Sequence, residues 1–222
     1  MHTEQNQKEV LRKKRINEKR KKSLRISLII LGVLLLFGAA ALLPKFISEQ
    51  SRGSKDRGFP LGDPNAPVTV VQFSSYSCEF CKDFSERVEK DFIIDYVEPG
   101  LVFYQYVNIP ANNENSQNAA KASYCAADQN LFFDYKDYLF SFANSTDGYS
   151  LINLVNYANS AGLETDKFKA CLEASTYNNA FVEDIRFAQS IGVTGTPTFL
   201  VNDQLVSSID LIPLVDALLA DD

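Results

Sequence analysis

The chain contains no tryptophan and a single histidine, His2. The shortage of histidine excludes a Ser-His-Asp triad, a Cys-His protease dyad and any site built on several histidine ligands. Cysteine is also scarce: Cys78, Cys81, Cys125 and Cys171. Only the first two are close in sequence, and a structural zinc site wants a second close pair. No metal is expected. Basic charge is thin over most of the chain. Of 22 Lys/Arg and 28 Asp/Glu, residues 1–25 hold ten bases and three acids, so the remainder carries a net charge of −13. A part that acidic is ill suited to non-specific nucleic-acid binding.

What is present is enough for one core of ordinary size: 222 residues, 45% of them hydrophobic. The run "ISLIILGVLLLFGAAALL" (26–43) carries no charge and follows the basic segment 1–25. Its length is near the lower end of a membrane span, and basic clusters stay on the cytoplasmic side. The expectation is one N-terminal transmembrane anchor, cytoplasmic at its N-terminus, with the acidic part outside. A cleaved signal peptide is the alternative, with Ala39 and Ala41 as the cleavage motif and secretion as the result. Either way the acidic part is exported. Residues 44–61 are polar and read as a linker. All four cysteines follow the anchor, and an even count in an oxidising compartment suggests two disulfides.

The exported part opens with a buried strand, "PVTVVQF" (67–73). From Cys78 the apolar positions Phe80, Phe84, Val88, Phe92 and Tyr96 recur every four residues, which is helical. "LVFYQYVNI" (101–109) is a second strand. A helical region follows, about 112–191, and then the strand signals "PTFLVN" and "QLVSS". The closing helix "IDLIPLVDALLA" has Asp210 as its expected cap and Pro213 in its first turn. A βαβ unit and a ββα unit thus share one sheet, with helices inserted between them.

"SSYSCEFCKDF" (74–84) sits where the first strand meets the first helix. Unpaired backbone N–H groups at a helix start favour a thiolate, and Cys81 lies one turn beyond Cys78 on the same face. Cys78 is then the exposed attacker, and Cys81, beside Phe80 and Phe84, the buried resolver of a dithiol–disulfide pair. The rival readings are half of a zinc site and an inert staple. Cys125 and Cys171 lie in helical context, Cys171 on an apolar face with Phe168 and Leu172. They read as a structural disulfide between two inserted helices, or more blandly as two buried thiols.

"GDPNAPVTVVQFSSYSCEFC", "AAKASYCAADQNLFFDYKDYLF" and "GVTGTPTFLVN" occur in that order and resemble the DsbA-like branch of the thioredoxin superfamily, over nearly all of residues 62–222. The resemblance implies an α/β thioredoxin-like fold with an inserted helical subdomain. It implies a cis Thr196–Pro197 bond facing Cys78, with the Thr196 backbone pairing with a substrate chain. It implies disulfide exchange in exported proteins that carry free cysteines. It further implies re-oxidation by a membrane thiol oxidase linked to quinone, with no bound cofactor, in a bacterial cell. The chain is expected to be monomeric, since superfamily isomerases are typically dimers with a separate dimerisation domain.

Three positions depart from that pattern. Gln72 stands where a buried glutamate commonly moves the resolving thiol's proton. Ser75 replaces a frequent aspartate. The dipeptide between the cysteines, Glu79-Phe80, places a negative charge beside Cys78, which disfavours its thiolate and predicts a less oxidising pair. The function expected is disulfide formation. The alternatives are a reductase or isomerase and a non-catalytic docking or assembly factor. A few of the insertion's aromatic residues are candidates to line an apolar groove beside Cys78.

Overall fold

The computed structural model describes residues 57–142, 147–174, 176–177 and 180–221. The expected basic segment 1–25, anchor 26–43 and most of the linker 44–61 lie outside the described residues. Among the described residues no helix is long and apolar enough to cross a membrane.

Five strands form one sheet: β1 (Phe59–Leu61), β2 (Val68–Ser74), β3 (Val102–Asn108), β4 (Thr198–Val201) and β5 (Gln204–Val206), in the spatial order β1-β3-β2-β4-β5. β2 and β3 are parallel, with Val68 opposite Val102 and Ser74 opposite Asn108. The other pairings are antiparallel. Parallel neighbours need a crossover, and a helical rod over residues 79–97, here α1, provides it. α1 is α-helical over Glu79–Phe84 and Lys90–Phe92 and widens to π-helix over Ser85–Glu89 and Ile93–Val97. The inserted helices are α2 (Glu114–Ala127), α3 (Phe132–Ser141), α4 (Leu151–Ser160), α5 (Thr165–Glu173) and α6 (Ala180–Ser190); α7 (Ser208–Ala220) closes the chain.

β2 and β3 are buried at every residue, as strands covered on both faces must be. On one face Val68, Val70 and Tyr104 meet Phe84 and Phe92 of α1 and Leu211 and Val215 of α7. Toward the carboxyl ends of the strands, Tyr106 packs with Tyr76, Cys81 and the insertion residues Tyr135, Leu139, Phe140 and Phe168. Val71, Phe73 and Val107 face the other way, against Ala188 of α6. The α/β fold with its helical insertion is therefore present.

Three local expectations need correction. β1 lies within the stretch read as linker. Its entry depends on Gly58, whose φ is +64° and where a Cβ would stand 2.1 Å from the Tyr106 carbonyl oxygen. Asp210 is not the cap of α7. The helix starts two residues earlier, and extended Ser207 holds the cap position, its hydroxyl donating to Asp210 Oδ2 at 2.7 Å. Asp210 sits in the first turn, where a negative charge suits the exposed N–H groups, and Pro213 falls beyond that turn.

Candidate active site

Ser74 ends β2, and Tyr76, Ser77 and Cys78 turn the chain into α1. Cys78 takes the extended conformation of a helix cap, with φ −99° and ψ 121°, and Glu79 begins the helix. The Cys78 carbonyl accepts the first helical bond, from the Lys82 N–H at 3.1 Å. The insertion holds this turn from above. The Tyr149 hydroxyl contacts the Tyr76 and Leu139 carbonyls at 2.9 and 3.1 Å, and the Ser77 and Ser116 hydroxyls lie 3.2 Å apart. Ser75 is buried, with its hydroxyl 3.1 Å from that of Ser77.

Cys78 and Cys81 are free thiols. Cys78 is half-buried, and its thiol donates to the Thr196 carbonyl at 3.1 Å. The Thr196–Pro197 peptide bond is cis. Residues 118 apart in sequence thus meet at one sulfur. Cys81 is fully buried, and burial pushes its thiol from 9.0 up to about 12. Contacts with the Ser74 hydroxyl, the Ser75 backbone and Thr196 oppose the shift, and neighbouring Cys78 reinforces it. One thiol is reachable and the other is held neutral, an asymmetry suited to attack by the first and resolution by the second. Among the described residues no cluster of His, Cys, Asp or Glu is arranged to hold a metal.

A groove of about 410 Å³ opens beside Cys78, between the β3–α2 connection, α6 and the Thr196 loop. Ile109, Pro110, Ile185 and Val193 line it with Ser77 and Thr196, and no charged side chain does. No aromatic side chain lines it either, so the insertion's aromatic residues do not form this surface. Phe132, Tyr135 and Phe140 are buried in the core, and Tyr124 reaches Asp184 at 2.8 Å. Phe80 departs from expectation as well. Phe84 and Cys81 are both buried, but Phe80 is 74% exposed beside the exposed Glu79, because the turn that lifts Cys78 to the surface lifts the next residues with it.

The inserted helices are pinned where expected: Cys125 of α2 and Cys171 of α5 form a disulfide with Cα atoms 5.8 Å apart.

Gln72 is fully buried on β2 and accepts from the Tyr104 hydroxyl. Tyr104 also reaches Glu89 Oε1 at 2.7 Å. Glu89 is itself buried and paired with buried Lys136 of α3 at 2.5 Å, and the Ser85 hydroxyl donates to Glu89 at 2.8 Å. The sequence reading missed this pair. A signal was there: Lys136 falls on the same helical face as Phe132, Tyr135, Leu139 and Phe140, where a solvated lysine does not belong.

The chain matches the family described as Thioredoxin over residues 54–217. It is 29% identical over 153 residues to disulfide bond formation protein D of Bacillus subtilis, covering 67% of this chain and 69% of that protein. It is 30% identical over 149 residues to a Na(+)/H(+) antiporter, NhaA 3 of Salinispora tropica, covering 66% of this chain but only 22% of the antiporter. The crystal structure of oxidised BdbD from Bacillus subtilis superposes with a TM-score of 0.66 at 26% identity, over 72% of this chain and 92% of that one.

Proposed function

Because the chain belongs to the thioredoxin family, in its branch of DsbA-like thiol–disulfide oxidoreductases, we propose that it forms disulfides in exported proteins through Cys78 and Cys81. The observation that carries this reading is the asymmetry of the pair. Cys78 is accessible at a helix start beside Thr196, and Cys81 is buried with its proton held tightly. A client thiolate attacks Cys78 Sγ of the Cys78–Cys81 disulfide, and the S–S electron pair leaves on Cys81. A second client thiolate then attacks the client sulfur of the mixed disulfide. The client leaves oxidised, and both enzyme cysteines are reduced.

The groove beside Cys78, uncharged and lined by apolar and neutral polar side chains, suits extended client segments whatever their charge. The Thr196 backbone is the edge against which such a segment pairs, with Pro197 fixing the loop. Glu79 and Phe80 tune the pair, and Cys125–Cys171 is structural. The protein works outside the cytoplasm as a monomer, held at the cell membrane by residues 26–43 with residues 1–25 inside. A membrane thiol oxidase that passes electrons to quinone returns the pair to the disulfide. No cofactor is needed within the chain.

The test is oxidative refolding of reduced ribonuclease by the oxidised protein, with insulin reduction run beside it. Disulfide formation faster than the uncatalysed control, with slow insulin reduction, supports the reading. Fast insulin reduction without refolding makes the protein a reductase. Unchanged function in cells after Cys78→Ser makes it a docking factor.

A further inference from the structure

One wall of the groove beside Cys78 is α6, which lends it Ile185, Ala188 and Gln189. This helix lies outside the pair that the Cys125–Cys171 bond joins. Other contacts must therefore set the spacing between that wall and the attacking sulfur.

Asp184 and Phe187 share a neighbouring face of α6 at helical spacing. Phe187 packs on the sheet with Val71, Phe73, Val107 and Leu200, its ring centre 6.1 Å from that of Phe73. The Arg57 guanidinium stands 4.2 Å from the centre of the Phe187 ring, a distance at which cation and ring attract. Arg57 Nη1 is also 3.9 Å from Asp184 Oδ1, and the two side chains are only 15% and 10% exposed. Arg57 Nε has no hydrogen-bond partner among the described residues. The Tyr124 hydroxyl of α2 donates to the other carboxylate oxygen, Asp184 Oδ2, at 2.8 Å. Burial raises the Asp184 carboxyl, with a smaller push from Glu183, while the Tyr124 hydrogen bond and the Arg57 charge oppose the rise. A charged Asp184 depends on both partners at this depth.

Arg57 is itself fixed through its backbone. Its carbonyl accepts from Gln105 Nε2 of β3 at 2.8 Å, and the next residue is Gly58, held against the Tyr106 carbonyl. A residue read from sequence as linker is thus tied to β3 by its main chain and to α6 by its side chain. A flat, permanently charged group that meets a carboxylate and a ring together is a task suited to arginine and less so to lysine.

We propose that Arg57 is a positioning residue for client binding: it clamps α6 to β3 and so holds Ile185 and Gln189 at the spacing that an extended client segment needs beside Cys78. This rests on the redox reading of Cys78 and Cys81 and on the groove as the client site. Without the clamp, the groove face of α6 moves and a client segment is held less often within reach of Cys78 Sγ. The exchange chemistry itself is untouched, because the groups that contact the two thiols, Ser74, Ser75 and Thr196, lie outside α6. A small thiol such as glutathione reaches the sulfur without filling the groove, so it serves as the internal reference.

The test opens the Cys78–Cys81 disulfide of the oxidised full-length chain with two thiols. One is reduced glutathione, and the other is an uncharged peptide of roughly ten residues with one central cysteine, long enough to fill the groove. Quenched samples are read by mass for loss of the disulfide form across a range of thiol concentrations. In the wild type the peptide rate saturates. In Arg57→Met the peptide concentration at half-saturation rises about five- to tenfold, while the limiting rate and the glutathione rate stay within about twofold. Arg57→Lys, which keeps the charge, recovers part of the loss. Since Arg57→Met leaves buried Asp184 without its cation, Arg57→Met/Asp184→Asn is measured beside it, with circular dichroism confirming the fold, and shows the same selective loss. Unchanged half-saturation in the folded variants overturns the proposal, and so does an equal fall of the glutathione and peptide rates. A wild-type peptide rate that never saturates overturns the groove as the client site. A wild-type disulfide that neither thiol opens overturns the redox reading instead.

Discussion

Removing the Cys125–Cys171 disulfide tests how the inserted helices are held. The bond closes a sequence separation of 46 residues between α2 and α5. On the chain-entropy account, a loop of that size restricts the unfolded chain by about 4 kcal/mol at 25 °C. Cys125 is 1% exposed, so Cys125→Ala also leaves a small cavity, adding about 1 kcal/mol. Cys125→Ala/Cys171→Ala, which leaves no new thiol, should therefore lose about 4–5 kcal/mol in urea unfolding. The slope of stability against urea should rise, because an unfolded chain without the cross-link exposes more surface. For a domain of this size the melting temperature should fall by about 8–20 °C. Cys78 caps α1 and Cys81 lies on it, outside the helices that the bond joins, so the folded variant should keep its exchange chemistry. A loss below about 1 kcal/mol with an unchanged slope would refute the reasoning.

Other perturbations have equally definite outcomes. Lys136→Met alone leaves buried Glu89 without its cation and should cost about 3–5 kcal/mol in urea unfolding, with part of that recovered when Glu89→Gln is added. Tyr149→Phe removes the hydroxyl that ties the Tyr76 carbonyl to the insertion and should cost about 1–2 kcal/mol in the same assay. Glu79→Gln removes the exposed negative charge beside Cys78 and should make the pair more oxidising, shifting its equilibrium with glutathione about two- to threefold. The pH dependence follows from Cys81, whose thiol is raised by folding, so its neutral form stabilises the reduced protein fully below about pH 9. That contribution falls as pH climbs from about 9 toward 12, by about 1.4 kcal/mol per unit. Urea midpoints of the reduced form, compared with those of the disulfide form at each pH, check it.

The strand–CEFC–helix junction was legible because it joins a β-branched run, two cysteines and a four-residue stride within eighteen residues. The Cys125–Cys171 link followed from compartment and parity. β1 was not legible: "FPL" is too short for a periodic signal, and Gly58 beside it reads as linker although the fold needs its positive φ. The exposure of Phe80 was hidden because the stride gives the face of α1 but not where the sheet beneath it ends. Glu89 and Lys136 were missed because each carries a charge, and charge on a helix is ordinarily read as solvent-facing. Only packing from two distant elements shows that they neutralise each other indoors. The distance in sequence between Cys78 and Thr196 hid their contact in the same way, and there the family resemblance supplied what local pattern could not.

The central claim is the division of labour between the two sulfurs, and trapping tests it most directly. The reduced Cys81→Ala and Cys78→Ala variants are each exposed to oxidised glutathione, and the adducts are mapped by mass spectrometry. The account predicts a persistent glutathione adduct on Cys78 in the first variant and almost no adduct on Cys81 in the second. Ready modification of Cys81, or an inert Cys78, would contradict it.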